Sequence, residues 1–283
     1  MESDYRYPAP SAANPQSSPP WFEWLDIRAG NHYDDVDETT LPYVHRRHLG
    51  KGGYGLVEAV EDRMTGRVYA RKVFHPRKRE RARMWEMFEN EVQNTRALKA
   101  HHHMVRLHAT YTTKDTLAMI MMPVADGGDL EKFLDEFNQY RNEHASQISG
   151  HEASQMLWKM GVLQMAFGCL AAGLMFMHDQ KIRHKDIKPS NILIHGGKVL
   201  YTDFGIARDT ALFQDSATTG PAVKATRKYA APEVLADAAR RSSSDVYSLG
   251  CVFVEIFASL DGTFEISDIQ RFSDHMASIH QAL

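Results

Sequence analysis

The chain reads as an α+β fold of two lobes, a small β-rich lobe followed by a larger helical one. Three observations carry this. From Tyr43 to Met122 the sequence runs in short strand-like stretches with turn signals between them and one helical interval. Beyond Gly128 it becomes mainly helical. A length of 283 residues, with 43% apolar and 24% charged, is ordinary globular composition for one large domain or two lobes. That composition excludes a wholly disordered chain, a collagen and a coiled coil.

The elements follow in order. The first twenty residues hold Pro8, Pro10, Pro15, Pro19 and Pro20 among Ser, Ala, Asn and Gln. Such a segment buries too little apolar area to offset its ordering entropy. It has no apolar run resembling a signal peptide. An apolar island, Trp21 to Ile27, reads as a segment packing on the domain surface or as a docking peptide. The acidic run Asp34 to Glu38 reads as a solvated linker, so residues 1–42 are taken as a leader ahead of a domain at 43–283. Strands are expected at Tyr43–Leu49, Gly55–Val60 and Val68–Phe74, with Met64-Thr65-Gly66 as the turn between the last two. Arg79–Lys99 is helical, because Phe88, Val92, Thr95 and Leu98 recur at spacings of three and four. Val105–Tyr111 and Leu117–Met122 return to strand. Helices are expected at Asp129–Tyr140, His151–Met177 and Ser244–Phe257. The apolar run Met160–Met177 is long enough for a membrane span. Its Gln164 and its small residues Gly168, Ala171, Ala172 and Gly173 favour a helix buried in a soluble core.

Net charge is −3, so no global basic field points to nucleic acid or an acidic membrane. The two cysteines, Cys169 and Cys251, argue against a secreted disulfide scaffold and for an intracellular setting.

Several short strings carry chemistry. Gly50-Lys51-Gly52-Gly53-Tyr54-Gly55-Leu56-Val57 fits G-x-G-x-x-G-x-V, a turn whose backbone can approach phosphates closely. It lies between two strands, which argues against a dinucleotide fold. Lys72 follows Val57 by fifteen residues, on a strand, where a fixed cation would meet phosphate oxygens. Such a cation needs a partner, and Glu91 on the next helix supplies one. His184-Lys185-Asp186-Ile187-Lys188-Pro189-Ser190-Asn191 is followed twelve residues later by Asp203-Phe204-Gly205. Ala231-Pro232-Glu233 begins 28 residues after Asp203.

Taken in this order and spacing, the strings resemble the eukaryotic protein kinase family over about Val44 to Phe257. The resemblance implies a bilobal fold, with a small lobe at about 43–123 and a large lobe at about 127–283. It implies transfer of the γ-phosphoryl group of ATP, with Mg2+, to hydroxyls of protein substrates. In that family Asp186 would orient the substrate hydroxyl and Lys188 would offset charge on the transferring group. Asn191 and Asp203 would hold the metal ions. Lys72, paired with Glu91, would grip the nucleotide phosphates under Gly50, Gly52 and Gly55. Adenine would lie between Val57 and Ala70 above and the lobe connection, with Met122 behind it. Backbone groups of Pro123 and Ala125 would meet the base, and Asp129 would reach the ribose. Asp245 matches the aspartate that braces the catalytic loop. Lys188 and Thr226 resemble the serine/threonine group.

The chain departs from the pattern in places. Lys185 replaces the usual arginine and loses its bidentate fork. Thr218 and Thr219 are candidate phosphorylation sites. The cluster Arg77, Lys78, Arg79, Arg81 and Arg83 reads as a solvated face, with a phosphate-docking or partner patch, or an import signal, as the alternatives. His101-His102-His103 on an irregular link cannot all face one ion. After Phe257 only one short helix is expected, built on Phe264, Ile266, Ile269, Phe272 and Met276. The large lobe therefore reads as shortened, Glu233 as lacking its arginine, and an apolar face as open. A non-catalytic nucleotide-binding scaffold and a small-molecule phosphotransferase are the competing readings. The resemblance implies a protein substrate bearing Ser or Thr.

Overall fold

A computed structural model of the chain describes residues 23–52, 55–77, 79–143, 150–204, 228–235 and 242–262. Eight strands and five α-helices are found among them. The small lobe is a six-stranded sheet in the order β1-β5-β6-β4-β3-β2. Its strands are β1 (His32–Tyr33), β2 (Tyr43–Gly52), β3 (Gly55–Asp62), β4 (Val68–Phe74), β5 (Arg106–Thr112) and β6 (Leu117–Met122). All neighbours pair antiparallel except β1, which runs parallel to β5. Helix α1 (Arg81–Ala97) crosses one face, burying Phe88, Glu91, Val92 and Thr95.

The sheet has an apolar layer on each face because its strands alternate. Ala70, Phe74, Leu117, Met119 and Met121 join the core that continues into the large lobe. Tyr69, Val73, Ala118, Ile120 and Tyr111 form a second layer on the outer face. That outer layer needs a cover, and residues before Tyr43 supply it. Ile27 and Leu41 are buried in it, with Leu25, Tyr33 and Val36 alongside. Gly30 N–H donates to the His108 carbonyl, and Val36 N–H to the Thr112 carbonyl. The expected solvated linker over Asp34–Glu38 is instead fixed. Thr112 Oγ1 accepts from the Asp35 amide, Asp37 caps a short 3-10 turn at Glu38–Thr40, and Glu38 accepts from Thr113. The stretch from Leu25 to Leu41 thus packs on the sheet ahead of β2. Apolar residues scattered singly in a polar stretch carry no period, so the pattern gave no strand there.

The large lobe is built on α2 (Leu130–Glu143), α3 (Gly150–Asp179), α4 (Pro232–Leu235) and α5 (Ser242–Asp261). The Asp129 carboxylate caps α2 by accepting from the Lys132 amide at 2.9 Å. Both α3 and α5 are long and apolar enough to cross a membrane by length and composition. They pack on each other, and Leu163, Ala166, Leu170, Leu174, Val252 and Ile256 lie in the core. Asn138 Nδ2 and Arg141 on α2 donate to Ser259 on α5.

A hairpin absent from the sequence expectation, β7 (Ile192–His195) and β8 (Lys198–Tyr201), lies against α3. Its two-residue turn is Gly196-Gly197, with φ of 55° and 71°. Two successive positive φ values suit a tight hairpin turn and favour glycine. The hairpin is stitched to the small lobe, because Val105 N–H donates to the Tyr201 carbonyl and Tyr201 N–H to the His103 carbonyl.

Candidate active site

Lys72 sits on β4 opposite Val57 of β3 and Met119 of β6. Alternation turns its side chain to the α1 face, where Glu91 accepts from Nζ at 2.8 Å. The ammonium also pairs with Asp203 beyond β8, so one cation joins the two lobes. Lys72 and Glu91 are 3% and 1% exposed. Burial by itself disfavours charge on Lys72, but the carboxylates of Asp203 and Glu91 outweigh it and raise its pKa. Burial raises the Glu91 pKa, with Lys72 opposing. Burial also acts upward on Asp203, but Lys72 prevails and lowers it. The nearby segment is held from two sides. Asn94 of α1 donates to the Phe204 carbonyl at 3.4 Å, and the buried Phe204 ring meets His184 edge-on.

The loop from His184 to Asn191 is built around Asp186. Lys188 Nζ donates to Asp186 Oδ2 at 2.9 Å. Asn191 Nδ2 donates to the Asp186 carbonyl and to Oδ2, at 2.8 and 3.1 Å. That leaves the Asn191 side-chain oxygen as the group it offers elsewhere. Lys185 has φ of 65° and Asp203 has φ of 63°, both in the left-handed region that non-glycine residues adopt at a cost. Asp245, buried on α5, holds the first of these. Its Oδ1 accepts the Lys185 amide at 2.8 Å, and its Oδ2 accepts the His184 amide at 2.9 Å and His178 Nε2 at 3.0 Å. The expected brace is therefore present. What the sequence did not give is that it acts on two backbone amides.

Six expected residues thus come together from four separate segments: Lys72, Glu91, Asp186, Lys188, Asn191 and Asp203. The glycines are placed with them. Gly50 pairs with Val57, and Gly52 with Gly55, across the β2–β3 hairpin. Gly53 and Tyr54 lie outside the described residues. Gly55 has a local reason of its own. A Cβ there would stand 2.3 Å from the Val73 carbonyl oxygen of β4.

One expected cleft residue is corrected. Met122 does not face the cleft core. It packs with the outer layer beside Ile120 and Val60. Met121 holds the inner position, opposite Ala70 and 6% exposed in the core that includes Met119. A slip of one residue along a strand exchanges its faces, and cross-strand register is not written in a run of six apolar residues. Val57 and Ala70 do lie on the inner side. Pro123, Val124 and Ala125 form the half-buried connection after β6. The Asp129 carboxylate is engaged as the α2 cap and stands 3.6 Å from Lys132 Nζ. Leu193 on β7, which packs against the same inner core and bridges to Asp129, went unnoticed in the sequence. The strand that places it was itself unexpected.

Glu233 on α4 is half-buried and has partners. Ser244 Oγ donates to it at 3.0 Å and Ser243 Oγ at 3.4 Å. The expected orphan carboxylate is thus corrected, because hydroxyls at the start of α5 reach it. Ser248 Oγ donates to the Tyr229 carbonyl, fixing the strand of chain beside the Asp186 loop. His103 Nδ1 bonds the Val199 carbonyl and His101 stacks on Phe176, so these histidines serve packing. Gly205, Thr218, Thr219, Thr226, Lys78 and the apolar residues from Phe264 to Met276 lie outside the described residues.

The comparisons with known proteins agree with this geometry. The family model described as the protein kinase domain matches residues 43–281. The chain is 28% identical over 251 residues to cyclin-dependent kinase 15 of Homo sapiens, covering 86% of this chain and 51% of that protein. It is 28% identical over 282 residues to serine/threonine-protein kinase H1 of Homo sapiens, covering 95% and 58%. It is 29% identical over 228 residues to serine/threonine-protein kinase Nek4 of Mus musculus, covering 80% and 26%. The chain spans about half the length of the first of these relatives. With the family match reaching over most of its length, the chain belongs to the protein kinase family.

Proposed function

We propose that the chain transfers the γ-phosphoryl group of ATP to serine or threonine hydroxyls of protein substrates. The convergence of Lys72, Glu91 and Asp203 on one side and Asp186, Lys188 and Asn191 on the other carries this reading. Phosphoryl transfer needs positioning and charge neutralisation more than covalent help. The substrate oxygen bonds to the γ-phosphorus while the bond to the ADP oxygen breaks. The hydroxyl proton passes to Asp186, whose carboxylate Lys188 and Asn191 hold in place. Lys188 also meets charge developing on the transferring group. Lys72, fixed by Glu91, grips the nucleotide phosphates, with the backbone at Gly50, Gly52 and Gly55 closing over them.

The donor set fits Mg2+. Asp203 is kept anionic, and Asn191 spends its nitrogen on Asp186 and keeps its oxygen. Hard oxygen ligands suit that ion, which would neutralise phosphate charge when bound. For the base, Val57 and Ala70 form the ceiling, Leu193 the floor and Met121 the back. With Met121 there, the backbone groups one and three residues on are those of Met122 and Val124, with Pro123 between them.

The test is transfer of labelled phosphoryl to a generic basic protein and to casein by the full chain and by Asp186→Asn. Loss of about a hundredfold or more in kcat is expected for the variant. Equal rates in both would overturn the assignment of Asp186.

A further inference from the structure

The outer face of the small lobe carries a constellation that phosphoryl transfer does not use. His45 and His48 lie on β2 and Glu58 on β3. Residues three apart on a regular strand point to opposite faces. In β2 the register shifts between His45 and Arg47, so one extra residue is inserted and the faces are exchanged. Both imidazoles therefore stand on one side, with ring centroids 4.7 Å apart. Glu58 is directly opposite His48 in the pairing. One nitrogen from each histidine and one carboxylate oxygen all lie within 4.8 Å of one another.

The carboxylate is anchored from behind. Glu58 is 7% exposed, and its Oε1 accepts Arg71 Nε at 2.9 Å and Nη2 at 2.7 Å. Arg71 Nη1 in turn donates to the Tyr111 hydroxyl. The second oxygen, Oε2, faces His45 Nδ1 at 2.5 Å. One oxygen is thus spent on orientation and the other is held toward two exposed imidazoles. A ligating group fixed by a partner behind it is how metal-binding carboxylates are oriented.

We propose that His45, His48 and Glu58 bind a divalent transition-metal ion of the zinc class. Two imidazole nitrogens and one carboxylate oxygen are the protein ligands, and solvent completes the shell. Two nitrogen donors in three select zinc, copper or nickel over magnesium or calcium, which take oxygens. On binding, the ion takes the place of the hydrogen bond between His45 Nδ1 and Glu58 Oε2, and the imidazole keeps its N–H on Nε2. Arg71 draws charge from the carboxylate, which sets affinity on the order of micromolar rather than nanomolar. The ion would tie β2 to β3 two residues before Gly50. Any effect on ATP affinity rests on the nucleotide reading above, whereas binding itself does not.

The test titrates zinc chloride into the untagged full chain by calorimetry and follows thermal melting. One saturable site is expected, with a rise in Tm of about 5–10 °C at a hundredfold excess over Kd. His48→Gln should weaken binding at least tenfold, while His101→Gln with His102→Gln should leave it unchanged. Cobalt in place of zinc gives a visible ligand-field absorption that His48→Gln should abolish, a readout independent of stability. Absence of saturable binding below about 100 μM, full binding by His48→Gln, or binding that follows His101 and His102 would each overturn the proposal.

Discussion

Asp245 is where the fold and the loop that carries Asp186 are most tightly joined, and Asp245→Asn tests that junction. Its two oxygens receive three hydrogen bonds, two of them from the amides of His184 and Lys185. An asparagine keeps one oxygen. Turned to retain the His184 and His178 bonds, it sets an amide nitrogen against the Lys185 N–H. An unsatisfied buried amide costs about 1–3 kcal/mol. The two retained bonds fall from charge-assisted to neutral, a further loss of about 1 kcal/mol each. A total near 4 kcal/mol lowers Tm by about 8–16 °C for a domain of this size. The acceptor for Lys185 also holds that residue at φ of 65°. Its removal lets the backbone relax beside Asp186, so kcat should fall while the nucleotide KM changes little. Melting followed by calorimetry, with initial-rate kinetics at saturating ATP, reads both. A variant that melts within about 2 °C of the parent and keeps its kcat would refute the reasoning.

Four further outcomes are expected. Lys72→Met leaves Glu91 as a lone buried carboxylate, at a cost of about 3–5 kcal/mol; because burial raises the Glu91 pKa, protonation relieves the cost, and the Tm deficit should be larger at about pH 8 than at about pH 5.5. Gly55→Ala drives a Cβ into the Val73 carbonyl and should destabilise by about 1–3 kcal/mol, whereas Gly50→Ala meets nothing within 4 Å and should leave the urea midpoint unchanged. Met121→Ala, and not Met122→Ala, should admit an ATP analogue with an enlarged base, measured as phosphoryl transfer from the analogue. Ile27→Ala and Leu41→Ala should each cost about 2–4 kcal/mol in denaturant melts, where a solvated leader would show no change.

Much of the small lobe was legible because its strands are punctuated. Val68–Phe74 and Leu117–Met122 have the bounds expected of them, each set off by turn residues or charge. Helix α1 was readable from Phe88, Val92 and Thr95, which share the buried face. The β7–β8 hairpin had a signal in Gly196-Gly197 between two short apolar runs, but four-residue strands are hard to separate from loop. The leader from residue 23 had no period at all. Its cover of the outer sheet face follows from a surface that exists only once β3 to β6 are assembled.

The sequence by itself determined the family, and with it the chemistry proposed for the chain. Two lysines, three acids and an asparagine stand at the separations that mark the family, so the groups proposed for phosphoryl transfer could be named from their order alone. It also determined the two-lobed order, since apolar periodicity is local. Only the tertiary structure decided which methionine joins the inner core, which carboxylates meet Lys72, and that His45 and His48 share a face. The first depends on strand register, the second on packing between distant segments, and the third on a bulge in β2. Register is set by pairing between distant segments, and a shift of one residue reverses every side chain along a strand.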